Sequence, residues 1–218
     1  LKKLPVRLTA VIPSQAEEFP KPRDQGGAAV KECKKVLTEL FPEEKDFIAS
    51  ISPNVSRSVT LSTLHGCPPQ EIERIASYLL KEKHLHTFVK CNPTILGYKT
   101  ARSILDSMGY DYIVFDEHHF NEDLQWEDAV PMFERLQKIA DKQGLEFGLK
   151  LSNTFPVDTT RGEPPNEEMY MSGRSLFPLT IEMCNRISRQ FGGKMRISFA
   201  GGADYFNCDK LFAAGIWP

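Results

Sequence analysis

Residues 58–93 read SVTLSTLHGCPPQEIERIASYLLKEKHLHTFVKCNP, and their reading decides the fold. SVTLSTL (58–64) is a β-branched and apolar run that stops at His65-Gly66-Cys67 and two prolines, which reads as a strand and its end. PQEIERIASYLLKEK then places Ile72, Ile75, Leu79 and Leu80 on one helical face. HTFVKCNP returns to strand. Strand, amphipathic helix and strand in so short a span make a βαβ unit with parallel strands.

The same alternation extends outward. A helix is predicted from Lys31 through KECKKVLTEL, another in YKTARSILDSMGY, and a strand in DYIVFDEHHF. WEDAVPMFERLQKIADKQG reads as a helix that tolerates Pro131 only in its first turn and stops at Gly144. LEFGLKLSNTFP is a further strand, 157–171 a polar loop, LFPLTIEMCNRISRQF a helix ended by Gly192-Gly193, and KMRISFAGGAD a last strand. Units of about 30 to 45 residues suit a TIM-type (β/α) barrel or a doubly wound sheet, and spacing leaves both open. Residues 1–30 differ: Pro5, Pro13, Pro20, Pro22, Gly26 and Gly27 interrupt any period, so an irregular segment is expected ahead of an α/β region at 31–218.

With 218 residues, 41% of them hydrophobic, the chain can bury a substantial core. Its net charge of −2 comes from 27 basic and 29 acidic residues in close mixture, which gives nucleic-acid binding no electrostatic support. No apolar run approaches the roughly 20 residues of a membrane span, and LKKLPVRLTAVIPSQ is too broken for a secretory signal, so a cytoplasmic location is expected. Cys33, Cys67, Cys91, Cys184 and Cys208 are scattered, odd in number and without a C-x-x-C pair, which favours reduced thiols. A start at Leu1 and an end in AAGIWP suggest a piece of a longer polypeptide.

In either architecture ligands sit beyond the carboxyl ends of the strands. Polar or special residues close every predicted strand: His65, Gly66 and Cys67; Lys90, Cys91 and Asn92; Asp116 to His119; Lys150, Ser152, Asn153 and Thr154; Gly201, Gly202 and Asp204. Lys90 and Lys150 lie inside apolar strands, where an ammonium needs an anionic or polar partner. That partner is a structural carboxylate or the electron-rich end of a cofactor. Asn92 and Asn153 offer planar amides to a heteroaromatic ring. The glycines of AGGAD either close a turn or let backbone N–H groups approach a phosphate. Asp116, Glu117, His118 and His119 include metal-ligand types, but neighbours on a strand face opposite ways, so no metal is expected there. Cys67 is an inert thiol by default, with a proton-transfer role left open by His65 beside it.

Together, SVTLSTLHGCPPQEIERIASYL, FVKCNPTILGY, LKLSNTFPVD, EEMYMSGRSLFPLTI and RISFAGGADYFN resemble the central part of the "putative selenate reductase subunit" family. Its members are long cytoplasmic bacterial proteins similar to dihydropyrimidine dehydrogenase and to the glutamate synthase small chain. The resemblance runs from about Lys31 to Pro218, and this region is similar to the FMN-binding barrel of dihydroorotate and dihydropyrimidine dehydrogenases. It implies an incomplete α/β barrel of a flavin-dependent oxidoreductase acting on a small molecule. FMN would belong to the complete domain, with NAD(P)H, FAD and iron–sulfur clusters in other redox domains of the parent polypeptide. The implied phosphate loops are Ser172-Gly173 and Gly201-Gly202, and Asn153-Thr154 match a T-N-T element. Lys90 fits the flavin lysine by position and Lys150 by local spelling, with one more strand unit between them than the family pattern has. GCPP resembles the S-C-P loop of the catalytic cysteine, which points to Cys67.

Three expectations follow. Lys90, Asn92, Lys150, Asn153, Ser172 and Gly201 should share one rim of the fold. The isolated chain should hold FMN poorly and associate through an open sheet edge. The rivals are a metal-dependent barrel lyase or hydrolase built on Asp116, His118 and His65, and a non-catalytic scaffold barrel.

Overall fold

The computed structural model describes residues 21–51, 56–63, 65–160 and 168–216. Two helices come first, α1 (Lys21–Leu40) and α2 (Lys45–Ser50). They are joined through the Lys34 ammonium, which donates to the Ala49 carbonyl. The α/β part then runs β1 (Ser58–Leu61), α3 (Pro69–Lys81), β2 (His86–Cys91), α4 (Tyr98–Ser107), α5 (His118–Glu122), α6 (Trp126–Gln143) and β3 (Phe147–Leu151). After these come β4 (Phe155–Asp158), β5 (Glu168–Met171), α7 (Phe177–Gln190), β6 (Arg196–Phe199) and α8 (Cys208–Ala213).

Strands β1, β2, β3 and β6 form one parallel sheet in that order. Val59, Leu61, Val89, Cys91, Phe147, Leu149, Leu151 and Phe199 are buried on one side of it. The helices cover that side. Phe133 of α6 lies 6.3 Å from Phe147, and Phe177 of α7 lies 5.9 Å from Phe199, ring centre to ring centre. Burying these apolar side chains contributes about 1.5–3 kcal/mol each, which is what holds the sheet to its helices. The opposite face carries Ser58, Thr60, His86, Phe88, Lys90, Gly148, Lys150, Arg196 and Ser198, paired in register. In a barrel this face would be the inside. Gly148 is required there, because a Cβ would stand 2.4 Å from the Phe88 ring.

Three expected elements are corrected. DYIVFDEHHF is no strand: β2 pairs directly with β3, and residues 110–117 form a turn and an irregular stretch leading into α5. Phe115 is buried among aromatic rings instead, 5.0 Å from Phe155 and 5.4 Å from Tyr98. This removes the extra strand unit that had separated Lys90 from Lys150. The polar loop at 157–171 has structured ends, since Val157 pairs with Met169 and Phe155 with Met171 in an antiparallel ribbon of β4 and β5. The irregular segment does not reach residue 30, because α1 starts at Lys21. Pro22 falls in the first turn, where a missing N–H costs nothing. Gly26 and Gly27 weaken the helix by about 1 kcal/mol each without ending it. Residues 1–20 lie outside the described part.

Other expectations hold. Gly144 takes a left-handed conformation (φ 64°) at the end of α6, as a helix stop requires. Pro131 is the exception: it is the sixth residue of α6, past the first turn to which the sequence confined it, so the helix forgoes one internal hydrogen bond there.

Candidate functional site

Parallel strands place their carboxyl ends together, so the segments following β1, β2, β3 and β6 meet on one rim. Lys90 and Lys150 occupy matching positions on neighbouring strands and point to the same side. Both are half-buried. Burial, and then the Lys150 ammonium beside it, lower the Lys90 pKa below its ordinary value. Among the described residues no carboxylate pairs with either lysine. Two cations in register with no anion among the described residues are an unfavourable arrangement by themselves.

One step beyond the strands the rim is organised by a buried carboxylate. Asp123, at the end of α5, is 4% exposed and receives four donors. Its Oδ2 accepts from His65 Nδ1 at 2.7 Å, from the Thr94 hydroxyl at 2.6 Å and from Asn92 Nδ2 at 3.0 Å, while Oδ1 accepts from the Gly66 N–H at 2.8 Å. Burial pushes this carboxyl up. The hydrogen bonds from His65, Thr94 and Gly66, with the charge of His65, outweigh burial and hold it below the usual carboxylate range. The network continues sideways, because Asn92 Oδ1 accepts from Asn153 Nδ2 at 2.9 Å and the Asn153 N–H donates to the Cys91 carbonyl at 2.8 Å. Residues after β1, β2 and β3 are thus wired into one array. Tyr170 of β5 stacks on the His65 ring at 5.9 Å, and His119 of α5 meets its edge at 5.7 Å.

The glycine loops also meet. Gly202 has φ 87°, and a Cβ on it would lie 2.8 Å from Phe177 Cβ and 3.1 Å from the Gly173 carbonyl. A Cβ on Gly201 would fall 2.0 Å from the Thr180 hydroxyl and 2.9 Å from that of Ser152. Their first use is therefore close approach of the β6 end to the start of α7. Both N–H groups are occupied: Gly201 donates to the Leu151 carbonyl and Gly202 to that of Ala200. Ser172, Gly173 and Arg174 are exposed on the adjoining loop, with Arg174 paired to Asp204 at 2.7 Å. Thr154 is half-buried in the turn after β3. Cys67, in the loop after β1, is half-buried, and burial followed by the Glu71 charge raises its pKa.

The parallel strands, the lysine pair and the SGR and GGAD loops make up the candidate site, and comparison with known proteins gives the family of the chain. A family described as "Oxidoreductase YgfK, N-terminal TIM-barrel domain" matches residues 23–218. This chain belongs to that family. It is 49% identical, over 170 residues and 78% of its length, to "Putative oxidoreductase YgfK" of Escherichia coli strain K12, and equally to the protein of that name in strain O157:H7. The match spans 16% of each relative. No solved structure matches the chain.

A YgfK-type barrel gives the architecture that spacing alone left open, and the four described parallel strands are neighbouring staves of it. Its rim also contains residues that the sequence did not reveal. Asp123 follows a five-residue helix within a long connection, and only its four donors mark it. Thr94 and Tyr170 are equally silent in sequence. The three residues of the metal rival are engaged apart: Asp116 caps the His118 N–H, His118 faces Glu122 at 3.4 Å, and His65 is bound to Asp123. Among the described residues no group of three or more His, Cys, Asp or Glu side chains has the geometry for a metal ion. No described helix is long and apolar enough to cross a membrane.

Proposed function

We propose that this domain is the flavin-binding barrel of an oxidoreductase, with FMN seated on the strand-end rim and other redox centres in the remainder of a longer protein. The observation that carries the reading is the register of Lys90 with Lys150, two half-buried ammonium groups side by side without a described carboxylate. An electron-rich ring edge that becomes negative on reduction is a fitting partner for such a pair. FMN, when bound, supplies reversible two-electron chemistry.

The protein's own groups then have distinct tasks. Lys90 and Lys150 stabilise negative charge at the pyrimidine edge of the ring. Asn92 and Asn153, held by their mutual hydrogen bond, present amide groups from a fixed position beside it. The N–H groups of Gly201 and Gly202 are bonded within the protein, so the phosphate falls to Ser172, Gly173 and Arg174, which the packing of Gly202 on Gly173 holds in place. Cys67, with its pKa raised, is protonated at neutral pH and suits a proton donor better than a nucleophile. The 16% coverage of the relatives leaves ample chain for NAD(P)H, FAD and iron–sulfur domains. A small-molecule substrate and the selenate reductase assignment belong to the same proposal.

The test is the flavin content of the purified full-length protein. Acid release should yield FMN near one equivalent per chain, and the double variant Lys90→Met/Lys150→Met should lose most of it while staying folded. A full-length protein that contains FAD and iron–sulfur centres but no FMN would leave this barrel as a scaffold.

A further inference from the structure

His65 is the part of the rim that the lysine reading does not use. Its Nδ1 is committed to Asp123 at 2.7 Å. Its Nε2 is buried and has no hydrogen-bond partner among the described residues, although the ring as a whole keeps 16% of its side-chain exposure. A buried, unsatisfied ring nitrogen costs about 1–3 kcal/mol, so its position needs an explanation. A structural histidine would direct both nitrogens to partners within the protein. Here one nitrogen is fixed by a carboxylate that is itself held by three further donors, and the other is left for something else.

We propose that His65 is the proton-exchanging residue of the strand-end rim, working through Nε2, with Asp123 as the positioning residue that holds the Nδ1 proton. The inference rests on the flavin reading for the identity of the neighbouring group, and on the geometry alone for the histidine. A carboxylate on Nδ1 fixes the tautomer with Nε2 unprotonated and stabilises the imidazolium once a proton arrives there. The exchange needs no further reagent: a ligand X–H bond breaks, the proton goes to Nε2, and the Nδ1–H···Asp123 bond persists throughout. Asn92 bridges the dyad to the rim, because its amide N–H donates to Asp123 while its carbonyl accepts from Asn153. The β4–β5 ribbon covers the ring through Tyr170 and is joined to α5 by His119 and Glu168 at 2.8 Å. The titratable groups around His65 are therefore Asp123 and His119 on α5, Glu168 behind His119, Tyr170 on β5, and Glu122 and Cys67 beside Gly66 and its loop.

Two measurements test the proposal. The first needs no cofactor: proton–nitrogen spectra of the chain with ¹⁵N-labelled histidine, followed from pH 5 to 9, with His65→Gln assigning the signal. His65 should keep Nδ1 protonated at every pH while Nε2 gains and loses a proton, and Asp123→Asn should remove the fixed preference for the Nδ1-protonated tautomer. An Nε2 that stays protonated throughout, or a ring that does not titrate, overturns the proposal, and the wild-type spectrum alone suffices if the variant fails to fold. The second uses the full-length protein loaded with FMN. The flavin potential plotted against pH should bend at the His65 midpoint, and His65→Gln should remove the bend. A bend that survives in His65→Gln overturns the role of His65, whereas failure to load FMN overturns the flavin reading and leaves the first measurement to decide the histidine.

Discussion

The rim places two electrostatic problems side by side and solves only one of them within the protein. Asp123 is buried but receives four donors, so its charge is compensated. Replacing it by Ala strands the Gly66 N–H and the Thr94 hydroxyl and unpairs His65, a loss of about 3 kcal/mol that a shift in the urea midpoint would register. Its folded pKa lies below the ordinary 3.8, so its contribution is complete above that value and is lost as pH falls through the folded pKa. Acid unfolding of wild type should therefore be steeper below pH 3.8 than that of Asp123→Asn. Lys90 and Lys150 are the unsolved problem. Changing Lys150 to Met removes the like charge that depresses Lys90, so the ligand-free chain should gain stability. A gain of 1 kcal/mol would raise Tm by about 2–4 °C in a domain of this size. Better stability joined to weaker flavin binding would mark a functional pair, and a loss of stability would show that Lys150 has a structural partner.

At the level of elements, the strand–helix alternation was legible because α3, α6 and α7 each present a 3.6-residue apolar stripe to the apolar side of the sheet. Ile72, Ile75, Leu79 and Leu80 of α3 and the inward residues of β2 and β3 were readable one segment at a time. DYIVFDEHHF misled because its apolar residues have strand spacing, yet the β2–β3 pairing leaves no place for a strand between them. Tyr112 and Val114 are consequently exposed, and Phe115 and Phe120 are the residues of this stretch buried in the core. Asp123 and His65 stand 58 positions apart, and no local pattern connects them. The RISFAGGAD glycines were legible as special but not in their use, because the reason lies in Thr180, Ser152 and Phe177 on other segments. Gly201→Ala should thus cost about 2 kcal/mol or more through overpacking. Gly144→Ala should cost only about 1 kcal/mol, since its left-handed φ is strained but nothing lies within 4 Å. Equal losses in thermal melts of the two variants would contradict this account of the glycine pair.

For the molecule as a whole, one face of the parallel sheet is sealed by helices and the other carries the lysines above Phe88 and Gly148. Membership in the YgfK N-terminal TIM-barrel family assigns that second face to a barrel interior, with the polar rim at its carboxyl end. The central claim is that this rim holds FMN through the lysine pair. Equilibrium titration of the FMN-depleted full-length protein with FMN, read by quenching of flavin fluorescence, tests it most directly when run beside Lys90→Met and Lys150→Met. The account predicts saturable one-to-one binding, weakened at least about tenfold by either substitution, which is 1.4 kcal/mol or more of lost interaction. Binding of undiminished strength in both variants would contradict it.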